Sequence, residues 1–385
     1  MNFSIDRDYL LRTLTDLVRI NSINPTLVPG GAGEGEIARY VSGSLRAIGL
    51  DVKTVEPEAG RPSVLGTLRG DHHGRSLMLN AHYDTVGVEG MPEPFSAAVR
   101  DGRLYGRGAY DMKGSLAACM TAAKALQDGG VLASGSVVVA AVADEEYGSL
   151  GTASVIREIK VDGAIVTEPT ALDICLAHKG YLWIEVETLG RAAHGSRFQE
   201  GVDANMLMGR FLAALDGLEK ELRSRPGHAL VGPPSLHAAM ISGGSGLSTY
   251  AASCKLQIER RSVPGETEAR AVGEIQEIAD RLTAADPAFH ATVKPFFVRE
   301  PFEVSPGARI VGMVERATQQ VLGRKVRQFG DTPWMDSALL SAAGVETVVI
   351  GPRGAGAHAA EEWVDVETVA QLAEILAHAA VDYCR

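Results

Sequence analysis

The chain has 385 residues, of which 45% are hydrophobic and 22% charged, so it is long enough for two ordinary domains with separate cores. Its formal net charge of -11 at pH 7 argues against nucleic acid or an anionic membrane surface as the main partner. Its four cysteines form no Cys-x-x-Cys pair, which argues against thiolate zinc sites, and they are too sparse for a disulfide framework.

The chain opens without the basic region and apolar run of a signal peptide, and no apolar run approaches the ~20 residues of a membrane span, so we expect a cytoplasmic protein. Apolar residues at helical spacing then predict an amphipathic helix that includes Leu10, Leu14 and Leu17. Further helices are predicted over residues 35–48, 113–126, 204–223, 266–285, 308–322 and 366–383.

Four continuous apolar runs predict buried strands over residues 77–81, 136–143, 163–167 and 347–350. Strands that are apolar on both sides are typical of a largely parallel sheet covered by helices. Ligands of such sheets bind beyond the carboxyl ends of the strands. The residues that can bind a metal ion after these runs are His82, Glu145 with Glu146, Glu168 and His358.

The first of these runs leads into a candidate metal site. His82 and Asp84 follow the strand, and a Gly-rich turn over residues 106–114 supplies Asp111. Imidazole nitrogen and carboxylate oxygen suit zinc and its neighbours. His82 and Asp84 are only two positions apart, too close in the sequence for both side chains to bind one ion comfortably. We therefore expect His82 to be the ligand and Asp84 to hold its imidazole in one tautomer. Taken alone, the stretch also fits a solvated turn after a core strand.

The character of the chain changes between residues 179 and 295. Polar and apolar residues partly alternate over residues 181–189 and 254–260, which indicates strands with one face in water. With two of the predicted helices, these strands suggest a small α+β domain inserted into the first domain. We therefore predict an α/β fold with a mostly parallel sheet sandwiched by helices, divided into segments 1–178, 179–295 and 296–385.

Six motifs occur in a fixed order along almost the whole chain. They are His82-Tyr83-Asp84, Gly106-Arg107-Gly108 through Asp111-Met112-Lys113-Gly114, Asp144-Glu145-Glu146-Tyr147-Gly148, Glu168-Pro169-Thr170, Arg191-Ala192-Ala193-His194-Gly195-Ser196 and Ala357-His358. In this order they resemble the M20 metallopeptidase family, which includes acetylornithine deacetylase, succinyl-diaminopimelate desuccinylase, glutamate carboxypeptidase and aminoacylase. The resemblance implies that the outer segments form a catalytic domain and that residues 179–295 form a lid or dimerisation domain.

The resemblance also implies two divalent metal ions. His82, Asp111 and Glu168 would hold one ion. Asp111, Glu146 and His358 would hold the other, so that Asp111 bridges the pair. A shared carboxylate suits this chemistry because it offsets the repulsion between two neighbouring cations. Zinc is the expected metal from the ligand types, with cobalt or manganese as alternatives.

Further residues are assigned by the same resemblance. Glu145 would be the general base that takes a proton from the attacking water and returns it to the leaving amine. His194 resembles the histidine that stabilises the oxyanion, and Arg261 resembles the arginine that holds the substrate carboxylate. Arg260 stays the alternative, because strand alternation sends these neighbours to opposite faces. Ser248, a candidate substrate-binding residue, stands where the family often has asparagine.

We therefore expect a metal-dependent hydrolase that cleaves the amide bond of an N-acyl amino acid, as acetylornithine deacetylase does. The alternatives within the family are a desuccinylase or a carboxypeptidase acting on a dipeptide-like substrate. From another class, the alternative is a non-catalytic amino-acid-binding protein on the same fold, against which Glu145 argues because binding needs no base. The resemblance further implies a homodimer through the inserted domain, with His194 acting in the partner's site.

Overall fold

A computed structural model describes residues 3–385; Met1 and Asn2, which begin the stretch inspected for a signal peptide, lie outside the described residues. The helices are α1 Arg7–Arg19, α2 Gly35–Ala47, α3 Gly114–Gly129, α4 Leu150–Glu158, α5 Ala204–Ser224, α6 Glu268–Ala285, α7 Arg309–Leu322, α8 Ser337–Ala342 and α9 Val366–Tyr383. No helix within residues 3–385 is long and apolar enough to cross a membrane, and the expected cytoplasmic location stays a prediction.

The strands are β1 Asp51–Val55, β2 Ser63–Arg69, β3 His72–His82, β4 Ala98–Arg100, β5 Arg103–Tyr105, β6 Ser134–Val142, β7 Gly163–Val166, β8 Ile174–His178, β9 Gly180–Leu189, β10 Ser235–Gly243, β11 Ser253–Ser262, β12 His290–Arg299, β13 Phe302–Glu303, β14 Gln328–Asp331, β15 Glu346–Val349, β16 Gly354–Ala355 and β17 Trp363–Asp365. All of the predicted helices occur, with ends that differ by a few residues. The short helices α4 and α8 were not predicted, because so few turns give little periodicity.

The chain forms two compact units. Unit 1 contains the residues up to Leu176, together with Val304–Phe329 and Met335–Arg385. Unit 2 contains Ala177–Glu303 and Gly330–Trp334. The predicted border at residue 295 falls inside a strand, because β12 pairs with β9 as far as Arg299 and bulges where Pro295 interrupts its hydrogen bonding.

The centre of the sheet in unit 1 is parallel, as predicted. Six of its strands run in the order β1-β2-β6-β3-β7-β15, and every neighbouring pair from β6 to β15 is parallel. All four residues of β7 are buried, so helices cover the strand on both faces. The mixed α/β architecture is thus confirmed, and the carboxyl ends of β6, β3, β7 and β15 meet at one edge of the sheet.

Unit 1 also contains a small second sheet that the sequence did not predict. Its strands run in the order β16-β17-β5-β4. Tyr105 of β5 pairs with Trp363 of β17, which joins two segments that are far apart in the sequence. Strands of two or three residues are too short for an alternation pattern to identify.

Unit 2 is built on an antiparallel sheet with the order β10-β11-β9-β12. Along β9, Leu182, Ile184 and Val186 are buried in a core that helices α5 and α6 complete. Tyr181 and Trp183 alternate with them on the opposite face and are half-buried. The predicted alternation therefore reflects one face on the core and one face away from it.

Candidate metal centre

The edge where the parallel strands end carries the predicted metal ligands of unit 1. His82 is the last residue of β3, Glu145 and Glu146 follow β6, and Glu168 follows β7. His358 lies farther along the chain after β15, in the loop between β16 and β17. Parallel strands bring their carboxyl ends together, which is why side chains so far apart in the sequence become neighbours.

His82 is buried and faces several carboxylates through its Nε2 atom. Nε2 lies 3.1 Å from Oδ1 of Asp111, 3.7 Å from Oε1 of Glu168 and 3.9 Å from Oε2 of Glu145. The other ring nitrogen, Nδ1, lies 3.1 Å from the main-chain oxygen of Asp84. Because a carbonyl oxygen only accepts, Nδ1 carries the proton of the neutral ring and the lone pair of Nε2 faces the carboxylates. A metal ligand needs this tautomer.

Asp111 lies between two histidines. Its Oδ1 atom faces His82, and its Oδ2 atom lies 3.4 Å from Nε2 of His358. The same Nε2 lies 2.9 Å from Oε2 of Glu146. One carboxylate therefore contributes an oxygen to each side of the cluster, which is the arrangement that a bridging ligand requires.

The ligand atoms form overlapping groups that could hold metal ions. Those of His82, Glu145 and Glu168 lie within 4.8 Å of one another, as do those of His82, Asp111 and Glu146. Imidazole nitrogen and carboxylate oxygen are the donors that zinc, cobalt and manganese accept. The carboxylate of Glu145 belongs to the first of these groups. Its distance from the other donor atoms therefore fits a metal ligand as well as a general base.

Crowding of buried carboxylates sets the electrostatics of the cluster. Burial, and then the charge of Asp111, raises the pKa of Glu146 to about 7 and raises that of Glu168 as well. Burial and the charge of Glu168 raise the pKa of Glu145. Hydrogen bonds to Asp111 and Glu146 raise the pKa of His358 to about 10. The excess of negative charge favours any cation that enters, so the chemistry of the donors fits a metal site.

Asp84 is buried beside the cluster, where it contacts the imidazole of His82 and also orders a neighbouring turn. Its Oδ1 atom is 3.6 Å from Nδ1 of His82, so the main-chain oxygen makes the closer contact. The carboxylate oxygens accept the main-chain N–H groups of Glu145 and Glu146 at 3.1 and 3.2 Å. Asn24 donates to the same carboxylate at 2.8 Å. Asp84 thus holds both the imidazole and the turn that carries the two glutamates.

A buried ion pair behind this turn was missed from the sequence. Arg61 donates to both oxygens of Glu34, at 2.7 and 2.8 Å, and to Oδ1 of Asp144 at 2.6 Å. Asn24 also donates to Asp144, which directly precedes Glu145. These residues come from four separate segments, and no spacing rule along the chain relates them.

The candidates in unit 2 lie on its surface. The Nδ1 atom of His194 accepts the main-chain N–H of Ser196 at 3.3 Å and contacts its hydroxyl at 2.8 Å. Because Nδ1 accepts, the neutral ring carries its proton on Nε2, which is then a donor. Ser248 lies beside this turn, where its main-chain oxygen accepts the N–H of Gly195 at 2.8 Å.

Arg260 and Arg261 point to opposite faces of the unit 2 sheet, as alternation requires. The side chain of Arg260 is 0% exposed and pairs with Glu266 and Glu274. The side chain of Arg261 is 32% exposed, pairs with Glu259 at 2.7 Å and lies 5.0 Å from the ring centre of Tyr181. Of the two guanidinium groups, only that of Arg261 is accessible from outside the protein.

The sequence is similar to those of known enzymes over most of its length. The model of Peptidase family M20/M25/M40 matches residues 78–382. Acetylornithine deacetylase of Myxococcus xanthus is 28% identical over 97% of both chains. N-formyl-4-amino-5-aminomethyl-2-methylpyrimidine deformylase of Halalkalibacterium halodurans is 27% identical, with 96% of this chain and 94% of the relative covered.

Solved structures share the fold over nearly the whole chain. Aminopeptidase PepT of Bacillus cereus has a TM-score of 0.79 at 18% identity, covering 98% of this chain and 99% of its own. The YXEP protein of Bacillus subtilis, a dinuclear metal-binding peptidase, has a TM-score of 0.74 at 15% identity, covering 98% of each chain. The family match spans most of the sequence and includes the strands that carry the cluster. The chain therefore belongs to Peptidase family M20/M25/M40, and it is a hydrolase of the metallopeptidase and amidohydrolase type.

Proposed function

We propose that this protein removes the acyl group of an N-acyl amino acid with the help of two divalent metal ions. The observation that carries the proposal is Asp111, whose two carboxylate oxygens face His82 and His358. His82, Asp111 and Glu168 would hold one ion, and Asp111, Glu146 and His358 the other. Zinc is the first choice, and cobalt or manganese suits the same donors. When bound, such ions polarise a carbonyl group and lower the pKa of water.

Glu145 is proposed as the general base. Its carboxylate lies 3.9 Å from Nε2 of His82, and the carboxylate of Asp84 accepts its main-chain N–H. Burial and the charge of Glu168 raise the pKa of Glu145, which makes its carboxylate a stronger base for taking a proton from water.

We assign recognition of the substrate to unit 2. A guanidinium group with a planar fork suits a carboxylate, and Arg261 presents the accessible one. His194 carries its donor proton on Nε2, which suits an oxyanion that develops during acyl transfer. Ser248 lies beside His194 and could contact the same end of the substrate.

The proposal also includes which acyl group the enzyme removes. Acetyl is the first choice, since acetylornithine deacetylase is among the relatives. Formyl is the second candidate, because a relative of similar identity is a deformylase. Both names describe removal of a short acyl group from an amine.

A homodimer through unit 2 completes the proposal. Strand β10 is an outer strand of its sheet, and Met240 and Ile241 on it are 66% and 57% exposed. Exposed apolar residues on an unpaired edge favour pairing with a second copy. We propose that His194 then acts in the site of the partner subunit.

Substrate screening tests the proposed activity. We expect the protein, loaded with zinc or cobalt, to release amine from N-acetyl or N-formyl amino acids faster than from N-succinyl amino acids or dipeptides. The matched control is Glu145→Gln, which should keep its metals and lose about 10²–10⁴-fold in kcat. A variant with full metal content and near-normal turnover would remove Glu145 from the role of base, and faster release from dipeptides would favour a peptidase.

Asp111 tests the two-metal arrangement. We expect Asp111→Ala to lose metal from both positions, because one carboxylate serves both ions. Metal content after dialysis, measured by elemental analysis, gives the result directly. Asp128→Ala, which removes an exposed carboxylate of α3, is the control. If Asp111→Ala kept two tightly bound ions, Asp111 would not bridge.

Arg261 tests recognition of the carboxylate. Arg261→Lys keeps the charge and loses the fork, so we expect KM for free N-acyl amino acids to rise about tenfold. The KM for their methyl esters should change little. Arg260→Lys is the comparison, since the buried Arg260 is expected to affect the melting temperature and not this selectivity. A selective rise in KM for Arg260→Lys instead would transfer the role to Arg260.

Complementation tests whether His194 acts across a dimer. Chains with His194→Ala and with Glu145→Gln should each be nearly inactive. A mixed dimer has one site with an intact Glu145 and the partner's intact histidine, so about half of the wild-type activity per mixed dimer should return. Native mass spectrometry verifies that the chains exchange. Verified mixed dimers without activity would place His194 in the site of its own chain.

A further inference from the structure

Glu362 is a buried carboxylate without an assigned role, four residues after His358. Its side chain is 0% exposed. Its Oε1 atom accepts the main-chain N–H groups of Tyr110 and Asp111 at 2.9 and 3.0 Å, and its Oε2 atom accepts that of Gly108 at 3.1 Å. One side chain thus binds the whole turn that presents Asp111.

Arg107, which lies in the Gly-rich turn before Asp111, is the charged partner of Glu362. It is buried, and its Nη1 atom donates to Oε2 of Glu362 at 2.6 Å. Its Nη2 atom donates to the main-chain oxygen of Ala359, next to His358, at 2.9 Å. Its Nε atom donates to the oxygen of Gly87 at 2.9 Å. The guanidinium group therefore ties the turn before Asp111 to the loop that carries His358.

The backbone holds the same two segments together. Tyr105 pairs with Trp363, and the N–H of Gly106 donates to the main-chain oxygen of Glu362 at 3.1 Å. The pairing joins the two segments, and the side chains of Arg107 and Glu362 add contacts to the turn that carries Asp111 and to the loop that carries His358.

We infer that Arg107 and Glu362 are positioning residues that hold Asp111 and His358 in the mutual orientation a shared metal ligand needs. The inference rests on the proposed two-metal function. Both oxygens of Glu362 are occupied by donors, and the positive charge of Arg107 offsets its negative charge, so this carboxylate supports the cluster without competing as a ligand. Groups that orient metal ligands in this way commonly change metal affinity by about 10–100-fold when they are altered.

Glu362→Gln is the first variant. An amide has one accepting oxygen, so it must turn its NH2 group toward either the N–H groups of Tyr110 and Asp111 or the donors of Arg107 and Gly108. Either choice disturbs the turn that carries Asp111. Arg107→Lys is the second variant, since it keeps the charge but cannot reach three acceptors with one planar group.

The matched control is Glu367→Gln. Glu367 also pairs with an arginine far away in the sequence, Arg7, through two contacts at 2.5 and 2.8 Å. That pair is exposed, and both partners lie more than half in solvent. Loss of an exposed ion pair should leave metal binding unchanged.

The experiment is a Co²⁺ titration of the full-length metal-free protein, followed by the visible absorption of the bound ion and by competition with a chelator. The melting temperature of each metal-free variant measures purely structural damage. We expect Glu362→Gln and Arg107→Lys to weaken Co²⁺ binding by tenfold or more and to change the spectrum. The Glu367→Gln control should match the wild type. If Glu362→Gln does not fold, Arg107→Lys decides by the same criteria.

Two results would overturn the inference alone. One is wild-type affinity and spectrum in both variants. The other is a loss of affinity that merely follows the fall in melting temperature, with an unchanged spectrum of the bound ion. If the wild-type protein itself bound no Co²⁺, the proposed function would fail and the inference with it.

Discussion

Repulsion between buried carboxylates is the constraint on which the rest of the structure depends. Asp111, Glu145, Glu146 and Glu168 meet around His82 at one edge of the sheet. Each charged group removed from water is costly unless it is paired, and like charges add to that cost. The fold fixes these groups from outside, through strand ends, main-chain N–H groups and buried guanidinium groups.

Each of the two turns that carry these carboxylates is held by hydrogen bonds to a further buried carboxylate. Asp84 accepts the N–H groups of the turn with Glu145 and Glu146, and Arg61 anchors the start of that turn through Asp144. Glu362 does the same for the turn with Asp111. In each case a carboxylate that is not a proposed ligand orders the main chain beneath one that is, which keeps the ligand side chains directed at a common point.

Unit 2 meets a different requirement, because the side chains proposed to recognise the substrate must stay accessible. Alternation along β11 separates two adjacent arginines, so that Arg260 forms buried ion pairs while Arg261, which pairs with Glu259, stays partly exposed. Local hydrogen bonds to Ser196 set the tautomer of the exposed His194. A thin sheet with one covered face can thus be stable and still present polar side chains.

Periodicity and the order of motifs determined the parallel sheet, the helices, the family and the residues to examine, because these properties depend on side-chain patterns along the chain. Only the tertiary structure decided that Asp84 holds His82 mainly through its main chain, and which of the two neighbouring arginines is buried. It also revealed the contact between Arg107 and Glu362, whose partners are 255 positions apart. Such contacts depend on how separate segments pack in three dimensions. The pattern of residues along the chain does not show which distant segments will meet.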